Sequence, residues 1–248
     1  MIEVSGVSKA FGRQQVLKDC SLEIRSGETM VILGQSGGGK SVLLKIIAGL
    51  LGQDAGMVRI DGKRRHDMSE QERQDLSLRF GFLFQGAALF DSLTVGQNVT
   101  FGLRRHTQHS EVRLREIAEE RLSWVGLKGA QDKKPSELSG GMRKRVGLAR
   151  AVAMDPAFML YDEPTTGLDP ITSDAINDLI LSLQKRIKMT SIVVTHDMTS
   201  AFKVGDRLAM LYQGAIHEVK DKEAFRSSKD PVLQQFIHGR AEGPIQVL

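Results

Sequence analysis

A glycine-rich segment that ends in lysine and serine has the clearest chemistry in this sequence. It fits G-x-x-x-x-G-K-[ST] and lies between a strand-like run, TMVILG, and a helix-like run, KSVLLKIIAGL. Glycines let backbone N–H groups turn inward around phosphate, and a helix N-terminus adds positive potential. The pattern predicts a nucleotide phosphate site rather than a plain tight turn that begins a helix, which is the alternative. The segment consists of Gly34, Gln35, Ser36, Gly37, Gly38, Gly39, Lys40 and Ser41, followed by Val42.

Two residues of this segment have side chains that suit a bound triphosphate. Lys40 is predicted to reach the β- and γ-phosphates, and Ser41 is predicted to ligate Mg²⁺ through its hydroxyl. The loop, the lysine and the hydroxyl together predict a nucleoside triphosphatase.

Two carboxylates end the apolar run AFMLYD, where the chain leaves a predicted buried strand. Asp162 and Glu163 are well placed there for a metal ion and for water. Asp162 is predicted to hold Mg²⁺, directly or through water, and Glu163 to orient or deprotonate an attacking water. The alternative is a strand-terminating turn at Asp-Glu-Pro.

The sequence LSGGM, residues 138–142, adds a second helix end of the same kind. Ser139 is suited to cap a helix that runs from about Gly141, and the two glycines let the first N–H groups approach an anion closely. One helix end is already assigned to the β- and γ-phosphates, so a second one would have to face the γ-phosphate from outside. The pattern therefore predicts that a partner subunit completes the site.

The elements that must position these residues follow from the apolar periodicity. Two alternating segments, IEVSGVSKAF and CSLEIRSGE, predict antiparallel strands at the N-terminus. Later strand-like runs alternate with helical stretches such as Pro170–Ile187, which is typical of an α/β core with a largely parallel sheet. Between about Gln85 and Asp155 the pattern favours helices without strands, including Glu111–Val125 and Gly141–Met154. The later strand-like runs are TMVILG, GMVRIDG, RFGFLF, AFMLYD, TSIVVTH and RLAMLYQGAIHEV.

Composition restricts the class of protein. The 248 residues are 41% apolar and 26% charged, which is typical of a globular protein with a substantial core. The apolar runs are too short for a membrane span and the N-terminus lacks the pattern of a secretory signal, so we expect a cytosolic chain. Cys20 is the only cysteine, which excludes an internal disulfide and a thiolate-rich zinc site. The net charge of +4 is small and spread along the chain, so we expect no nucleic acid partner.

With these motifs in this order, the sequence resembles the ATP-binding-cassette (ABC) ATPases over nearly its whole length. The resemblance implies a P-loop NTPase fold with a mixed sheet, an antiparallel N-terminal part and an inserted α-helical subdomain. It also implies an ATPase that uses ATP and Mg²⁺ and works as a homodimer with two composite sites. The site residues that it implies are Lys40, Gln85, Glu163 and His196 for catalysis, Phe11, Ser139, Gly140, Gly141 and Asp169 beside the phosphate loop for the nucleotide, and Ser41, Gln85 and Asp162 for Mg²⁺.

Some of these residues are of types that commonly have no part in a site, and some positions depart from the family. A glutamine at a strand end is usually just solvated, a lone histidine after a strand is usually a surface residue, and a residue such as Phe11 belongs to a core more often than to a base stack. Met142 stands where the family usually has glutamine, and Val42 where it often has threonine. Because Ser139, the glycine N–H groups and Ser41 are retained, we expect catalysis to survive both departures.

A closer resemblance is to the ATPases of Mla-type lipid transporters, which work with MCE-domain proteins. It rests on ELSGGMRKRVGLARA, FQGAALFDSLTVGQNVTFGL and DPVLQQFIHGRAEGPI. It implies phospholipid transport between membranes, with the chain at the cytoplasmic face of the inner membrane. The implied partners are a polytopic permease, an MCE-domain lipid-binding protein and a small STAS-type accessory subunit. The alternatives are the ATPase of a small-solute importer, for amino acids or metals, and a stand-alone soluble ABC ATPase.

The loop after Gln85 predicts a contact with the permease. Leu89, Phe90 and Leu93 form an apolar cluster with polar flanks, which favours a docking surface. The alternative is the core of the helical subdomain.

The domain organisation is expected to be an ABC ATPase domain over 1–227, with a helical subdomain at about 86–155, and a C-terminal extension over 228–248. The extension has more apolar residues on one face than an unbound tail should display, so it is predicted to pack on the partner subunit. The residues of that face are Val232, Leu233, Phe236 and Ile237.

Overall fold

The computed structural model describes residues 1–246, which form two compact units. The first unit contains Met1–Ser69 together with the chain from Ile192 onward, and the second unit contains Glu70–Ser191. The predicted extension over 228–248 includes Val247 and Leu248, which lie outside the described residues.

Strands and helices alternate along most of the chain. The strands are β1 (Ile2–Phe11), β2 (Gln14–Ile24), β3 (Thr29–Leu33), β4 (Ala55–Ile60), β5 (Lys63–Arg64), β6 (Phe80–Leu83), β7 (Phe158–Asp162), β8 (Thr190–Thr195), β9 (Arg207–Tyr212) and β10 (Ala215–Asp221). The helices are α1 (Lys40–Ala48), α2 (Glu70–Leu78), α3 (Val95–Val99), α4 (Phe101–His106), α5 (Glu111–Trp124), α6 (Gly140–Ala151), α7 (Pro170–Ile187), α8 (Met198–Val204), α9 (Lys222–Arg226) and α10 (Pro231–His238).

The first unit contains an antiparallel sheet and a mixed group of strands. The antiparallel sheet has the order β2-β1-β4-β5, and its register pairs Ile2 with Ile24 and with Ile60. In the mixed group, β3 is parallel to β9, which is antiparallel to β10. All five side chains of β3 are buried, as its continuous apolar sequence predicts. The prediction of an α/β fold with a mixed sheet and an antiparallel N-terminal part is confirmed.

One strand-like run, RLAMLYQGAIHEV, is a hairpin of two strands instead of a single strand. The turn between β9 and β10 consists of Gln213 and Gly214, both with positive φ, 49° and 81°. A Cβ atom on Gly214 would lie 2.7 Å from the carbonyl oxygen of Val16, so this position requires glycine. Two residues in this conformation make the tight turn whose twist suits a hairpin, and the Gln-Gly pair was the local signal for it.

The second unit begins with α2, which the apolar periodicity did not predict, and then follows the predicted pattern. Strands β6 and β7 are parallel, with Phe80 paired to Phe158. Between these strands, the described chain contains helices and no strand, as predicted. Helix α5 ends one residue before the predicted Val125, and α6 ends three residues before the predicted Met154. The differences are of the size expected for helix ends, which fray.

The C-terminal tail of the described chain packs within the first unit, to which it belongs. The Gln235 side chain donates to the Ile245 carbonyl oxygen at 2.8 Å and accepts from the Ile245 amide at 2.6 Å. The Tyr212 hydroxyl donates to the Pro244 carbonyl oxygen at 2.8 Å. Val232 and Leu233 are buried within the unit, so part of the predicted apolar face is covered by the chain itself.

None of the helices among residues 1–246 combines the length and the apolar character that crossing a bilayer requires.

Candidate active site

The phosphate loop of the first unit lies between the buried strand β3 and helix α1. Helix α1 begins at Lys40, and the residue before it, Gly39, has a φ of 97°. A Cβ atom on Gly39 would lie 2.9 Å from Cδ2 of Leu17, so a larger residue would disturb the turn that starts the helix. The first turn of α1 contains no acidic residue that would repel an anion. The N-terminus of α1 therefore keeps its positive potential for phosphate.

The ammonium group of Lys40 crosses the loop. It donates to the carbonyl oxygens of Gly34 at 2.8 Å and Gln35 at 3.0 Å, and the residue is only 5% exposed. A phosphate oxygen would give this buried cation a stronger, charge-assisted contact than a neutral carbonyl does. Ser41 follows in the first turn of α1 and is half-buried. These residues fit a nucleotide phosphate, as the sequence pattern predicts.

Two other predicted site residues belong to the first unit. Phe11 ends β1 with its ring 49% exposed, and Lys9 Nζ lies 5.6 Å from the ring centroid. An exposed aromatic face beside a cation suits stacking against a flat base. His196 directly follows β8, whose six residues are all buried, and is itself exposed. Both positions agree with the predicted roles in that their side chains are accessible.

Asp162 and Glu163 lie at the end of β7 in the second unit. They are 6% and 8% exposed, which is unusual for carboxylates. The Thr166 hydroxyl donates to Oε2 of Glu163 at 3.2 Å. Glu163 has a φ of 48°, a backbone conformation that residues other than glycine adopt rarely and at an energetic cost. The strained backbone and the oriented carboxylate are consistent with a group that acts on a water molecule.

Lys144 connects two of the predicted residues, and it was not among the residues that the sequence motifs singled out. Its ammonium donates to the backbone carbonyl oxygens of Gln85 and Glu163, the latter at 3.1 Å. Burial lowers the pKa of Lys144, while the charges of Asp162 and Glu163 raise it. A helical projection could have found this residue, because it precedes the buried Leu148 and Ala151 by four and seven residues.

Ser139 caps helix α6 as predicted. Its hydroxyl accepts from the Met142 amide at 3.2 Å, and α6 begins at Gly140, one residue earlier than expected. Ser139 is exposed, so the N-terminus of α6 is accessible to an anion. A Cβ atom on Gly141 would lie 2.8 Å from Cγ2 of Thr172, which explains the need for a small residue there.

Asp169 has a structural role that the motif prediction did not include, although an aspartate directly before a helix-starting proline is a common N-cap. Its carboxylate accepts from the amides of Ile171 and Thr172, both at 3.0 Å, and so caps helix α7. These hydrogen bonds, with that from the Thr172 hydroxyl first among them, lower the pKa of Asp169. The predicted contact of Asp169 with nucleotide stays a prediction.

The predicted site residues are divided between the two units. The first unit carries Phe11, the phosphate loop and His196, the residues that are predicted to contact base and phosphate. The second unit carries Gln85, the LSGGM segment, both carboxylates and Asp169, and brings Gln85, Glu163 and Lys144 together. The hydroxyl, amide and carboxylate oxygens of Ser41, Gln85 and Asp162 are donors of the type that Mg²⁺ prefers.

Comparisons with known proteins place this chain among relatives of one family. The ABC transporter family profile matches residues 17–166. The probable ribonucleotide transport ATP-binding protein mkl of Mycobacterium leprae is 43% identical over 244 residues, which cover 98% of this chain and 70% of that protein. The intermembrane phospholipid transport system ATP-binding protein MlaF of Haemophilus influenzae is 37% identical over 246 residues, which cover 99% of this chain and 93% of that protein.

A solved structure also resembles this fold. It is the dimeric post-hydrolysis state of an ATP-binding cassette bound to ADP and Pi, with a TM-score of 0.82 and 33% sequence identity. The match covers 90% of this chain and 99% of that one. The fold of this chain thus has a structural counterpart among ATP-binding cassettes.

Replacing Lys40 by methionine tests the phosphate site, because it removes the ammonium and keeps the length of the side chain. We expect the affinity for ATP to fall by about tenfold or more, since a hydrogen bond to a charged group contributes roughly 1.5–3 kcal/mol. Lys45→Met is the matched control, because Lys45 lies exposed on the same helix. Titration with a fluorescent ATP analogue measures both variants, and equal affinities would contradict the assignment.

Proposed function

The chain belongs to the ABC transporter family, and we propose that it is the ATP-hydrolysing subunit of a transporter that moves phospholipid between membranes. The observation that carries the proposal is that one chain has two helix N-termini suited to phosphate, one at the buried Lys40 and one capped by the exposed Ser139. A transporter ATPase requires both helix N-termini, because it must bind and hydrolyse ATP and must link these steps to a movement of the protein. Phospholipid as cargo is the finer part of the proposal.

The phosphate loop and Lys40 bind the β- and γ-phosphates of ATP in this proposal. When bound, Mg²⁺ neutralises charge on the phosphate oxygens and orients them. Ser41, Gln85 and Asp162 would hold the ion, and Phe11 would stack on the adenine. The chain thereby fixes the nucleotide at both its base and its phosphates, which is the positioning on which phosphoryl transfer depends.

Glu163 orients the attacking water and accepts its proton. The hydrogen bond from Thr166 keeps one carboxylate oxygen in place, and the burial of Glu163 limits competing bulk water. His196 would contact the γ-phosphate or the attacking water. Only a group that is oriented before the reaction lowers the barrier without a cost of rearrangement.

Two copies of the chain form the working enzyme. Each copy would present the N-terminus of α6, capped by Ser139, to the γ-phosphate bound by the other copy, with Asp169 nearby in the nucleotide site. The related cassette with ADP and Pi is dimeric, which supports this proposal. Sharing of each site makes closure of the dimer depend on bound ATP, and release of phosphate would reopen it.

The permease docks on an apolar surface of the second unit. The Phe90 and Phe101 rings lie 4.5 Å apart, and these residues are 43% and 40% exposed. Phe101, with Leu93 and Arg105, lines an open groove of roughly 430 Å³. The Asn98 side chain is hydrogen-bonded to both the amide and the carbonyl oxygen of Phe90, at 2.8 and 3.1 Å. A docking loop that is held this firmly can transmit force between the permease and the ATPase.

The assembly around this chain is proposed to be of the Mla type. Its further members would be an MCE-domain lipid-binding protein and a STAS-type accessory subunit, and the chain would lie at the cytoplasmic face of the inner membrane. The similarity to MlaF, which extends over 93% of that protein, favours phospholipid as cargo. The similarity to mkl, a probable ribonucleotide transport protein, favours a small polar solute instead. With such a cargo, the chain would be the ATPase subunit of a small-solute importer.

Replacing Glu163 by glutamine tests the catalytic role. We expect ATP hydrolysis to slow by about a hundredfold or more, because the amide keeps the shape of the side chain and removes the base. ATP binding should persist and hold the chain as a dimer in size-exclusion chromatography. Glu116→Gln, at an exposed position of α5, is the matched control. Hydrolysis by the Glu163 variant at the wild-type rate would refute the assignment.

The cargo is tested with the complex that co-purifies with the tagged chain. We expect a polytopic membrane protein in that complex and, after reconstitution into vesicles, ATP-dependent transfer of labelled phospholipid. The same complex with Glu163→Gln is the control for transfer without hydrolysis. ATP-dependent uptake of a labelled ribonucleotide without lipid transfer would replace phospholipid by the small solute as cargo.

A further inference from the structure

Lys144 is a buried lysine in the middle of the second unit. It is 5% exposed, although a lysine is almost never buried without partners for its charge. Its ammonium donates to two backbone carbonyl oxygens from segments far apart in the sequence, those of Gln85 and Glu163. A chain position that needed only packing would be filled at lower cost by an apolar residue, because burial of a charge is unfavourable.

A second cation of α6 holds the same loop at its other end. Arg150 donates to the carbonyl oxygens of Ala88 at 2.6 Å and Ala87 at 2.5 Å. These two alanines have positive φ values, 62° for Ala87 and 47° for Ala88, which alanine rarely adopts. Helix α6 therefore fixes residues 85–88 at two points and keeps them in a strained conformation.

The other contact of Lys144 is at the strained backbone of Glu163. The Glu163 carbonyl oxygen accepts from the ammonium of Lys144 at 3.1 Å and from the Thr166 amide at 3.3 Å. The direction of this carbonyl and the φ of 48° at Glu163 set the backbone from which its side chain extends, and so the direction in which that side chain leaves the main chain. Loss of the ammonium would leave this carbonyl without its strongest donor and would let the backbone relax.

We propose that Lys144 is a positioning residue that links the loop over residues 85–88 to the backbone of Glu163, so that a movement of this loop changes the orientation of the catalytic carboxylate. The inference rests on the proposed function for the role of Glu163. The loop over residues 85–88 leads directly into the docking surface at Phe90, so the permease would adjust Glu163 through Lys144. The link consists of hydrogen bonds within one unit.

Three variants of the full-length chain distinguish the positioning role of Lys144 from a general contribution to the stability of α6. Lys144→Met removes the donors and retains an apolar stem of similar length, and Lys144→Arg retains the charge and the donors. Arg145→Met is the matched control, because Arg145 lies on the same helix and donates to the carbonyl oxygen of Val125 at 3.0 Å. Thermal unfolding is measured first. If Lys144→Met is unfolded at the assay temperature, Lys144→Gln replaces it under the same criteria.

Hydrogen exchange reports on the link without the need for ATP. The Ala87 amide donates to Phe84 and the Thr166 amide donates to Glu163, so each reports on one end of the link. We expect Lys144→Met to speed exchange at both amides by about tenfold or more relative to Arg145→Met, and Lys144→Arg to restore both rates. Faster exchange at one end alone, at neither, or equally in Arg145→Met would overturn the proposal.

Steady-state kinetics report on the carboxylate itself. Lys144→Met should lower kcat by about tenfold or more while KM for ATP changes less than about twofold, because nucleotide binding is left intact. Lys144→Arg should recover most of kcat. If Lys144→Met speeds exchange at both amides but leaves kcat unchanged, the positioning role is overturned. If the wild-type chain does not hydrolyse ATP, the proposed function is refuted instead. The exchange experiment needs no ATP, so it would still test the link through Lys144.

Discussion

The negative charge of a triphosphate is the constraint on which the rest of this structure depends. A protein can hold that charge only with cations and with backbone N–H groups that are not already paired, and the start of a helix supplies such groups. This chain has two helix starts of this type, at the buried Lys40 and after the exposed Ser139. The buried strands β3 and β7 fix the phosphate loop and the two carboxylates by bringing each to the end of an apolar element.

Two cations of helix α6 hold strained backbone segments of the second unit in place. The cations Lys144 and Arg150 bind backbone carbonyl oxygens instead of solvent, and carbonyls of Glu163, Ala87 and Ala88 belong to residues with unfavourable backbone conformations. Strain of this type persists only where surrounding contacts maintain it. Helix α6 holds both the loop over residues 85–88 and the backbone of Glu163. In the proposed function it would also present its N-terminus to phosphate.

The sequence was sufficient for features that depend on neighbours along the chain. The glycine-rich turn between β3 and α1, the cap at Ser139 and helix α7 were predicted correctly, because glycine geometry, capping and apolar periodicity act over a few residues. The roles of Lys144 and Arg150 were missed, because the burial of a cation depends on segments far away in sequence. The turn at Gln213 was also missed, since apolar residues continue on both sides of it.

The central claim is that two chains share each ATP site, and complementation between two inactive variants tests it most directly. Ser139→Arg blocks the N-terminus of α6, and Lys40→Ala removes the phosphate-binding ammonium. An equal mixture should regain about a quarter of the wild-type ATPase rate, because half of the dimers then contain one intact composite site. Failure of every mixture to regain activity, with both variants folded and able to dimerise, would contradict the shared site.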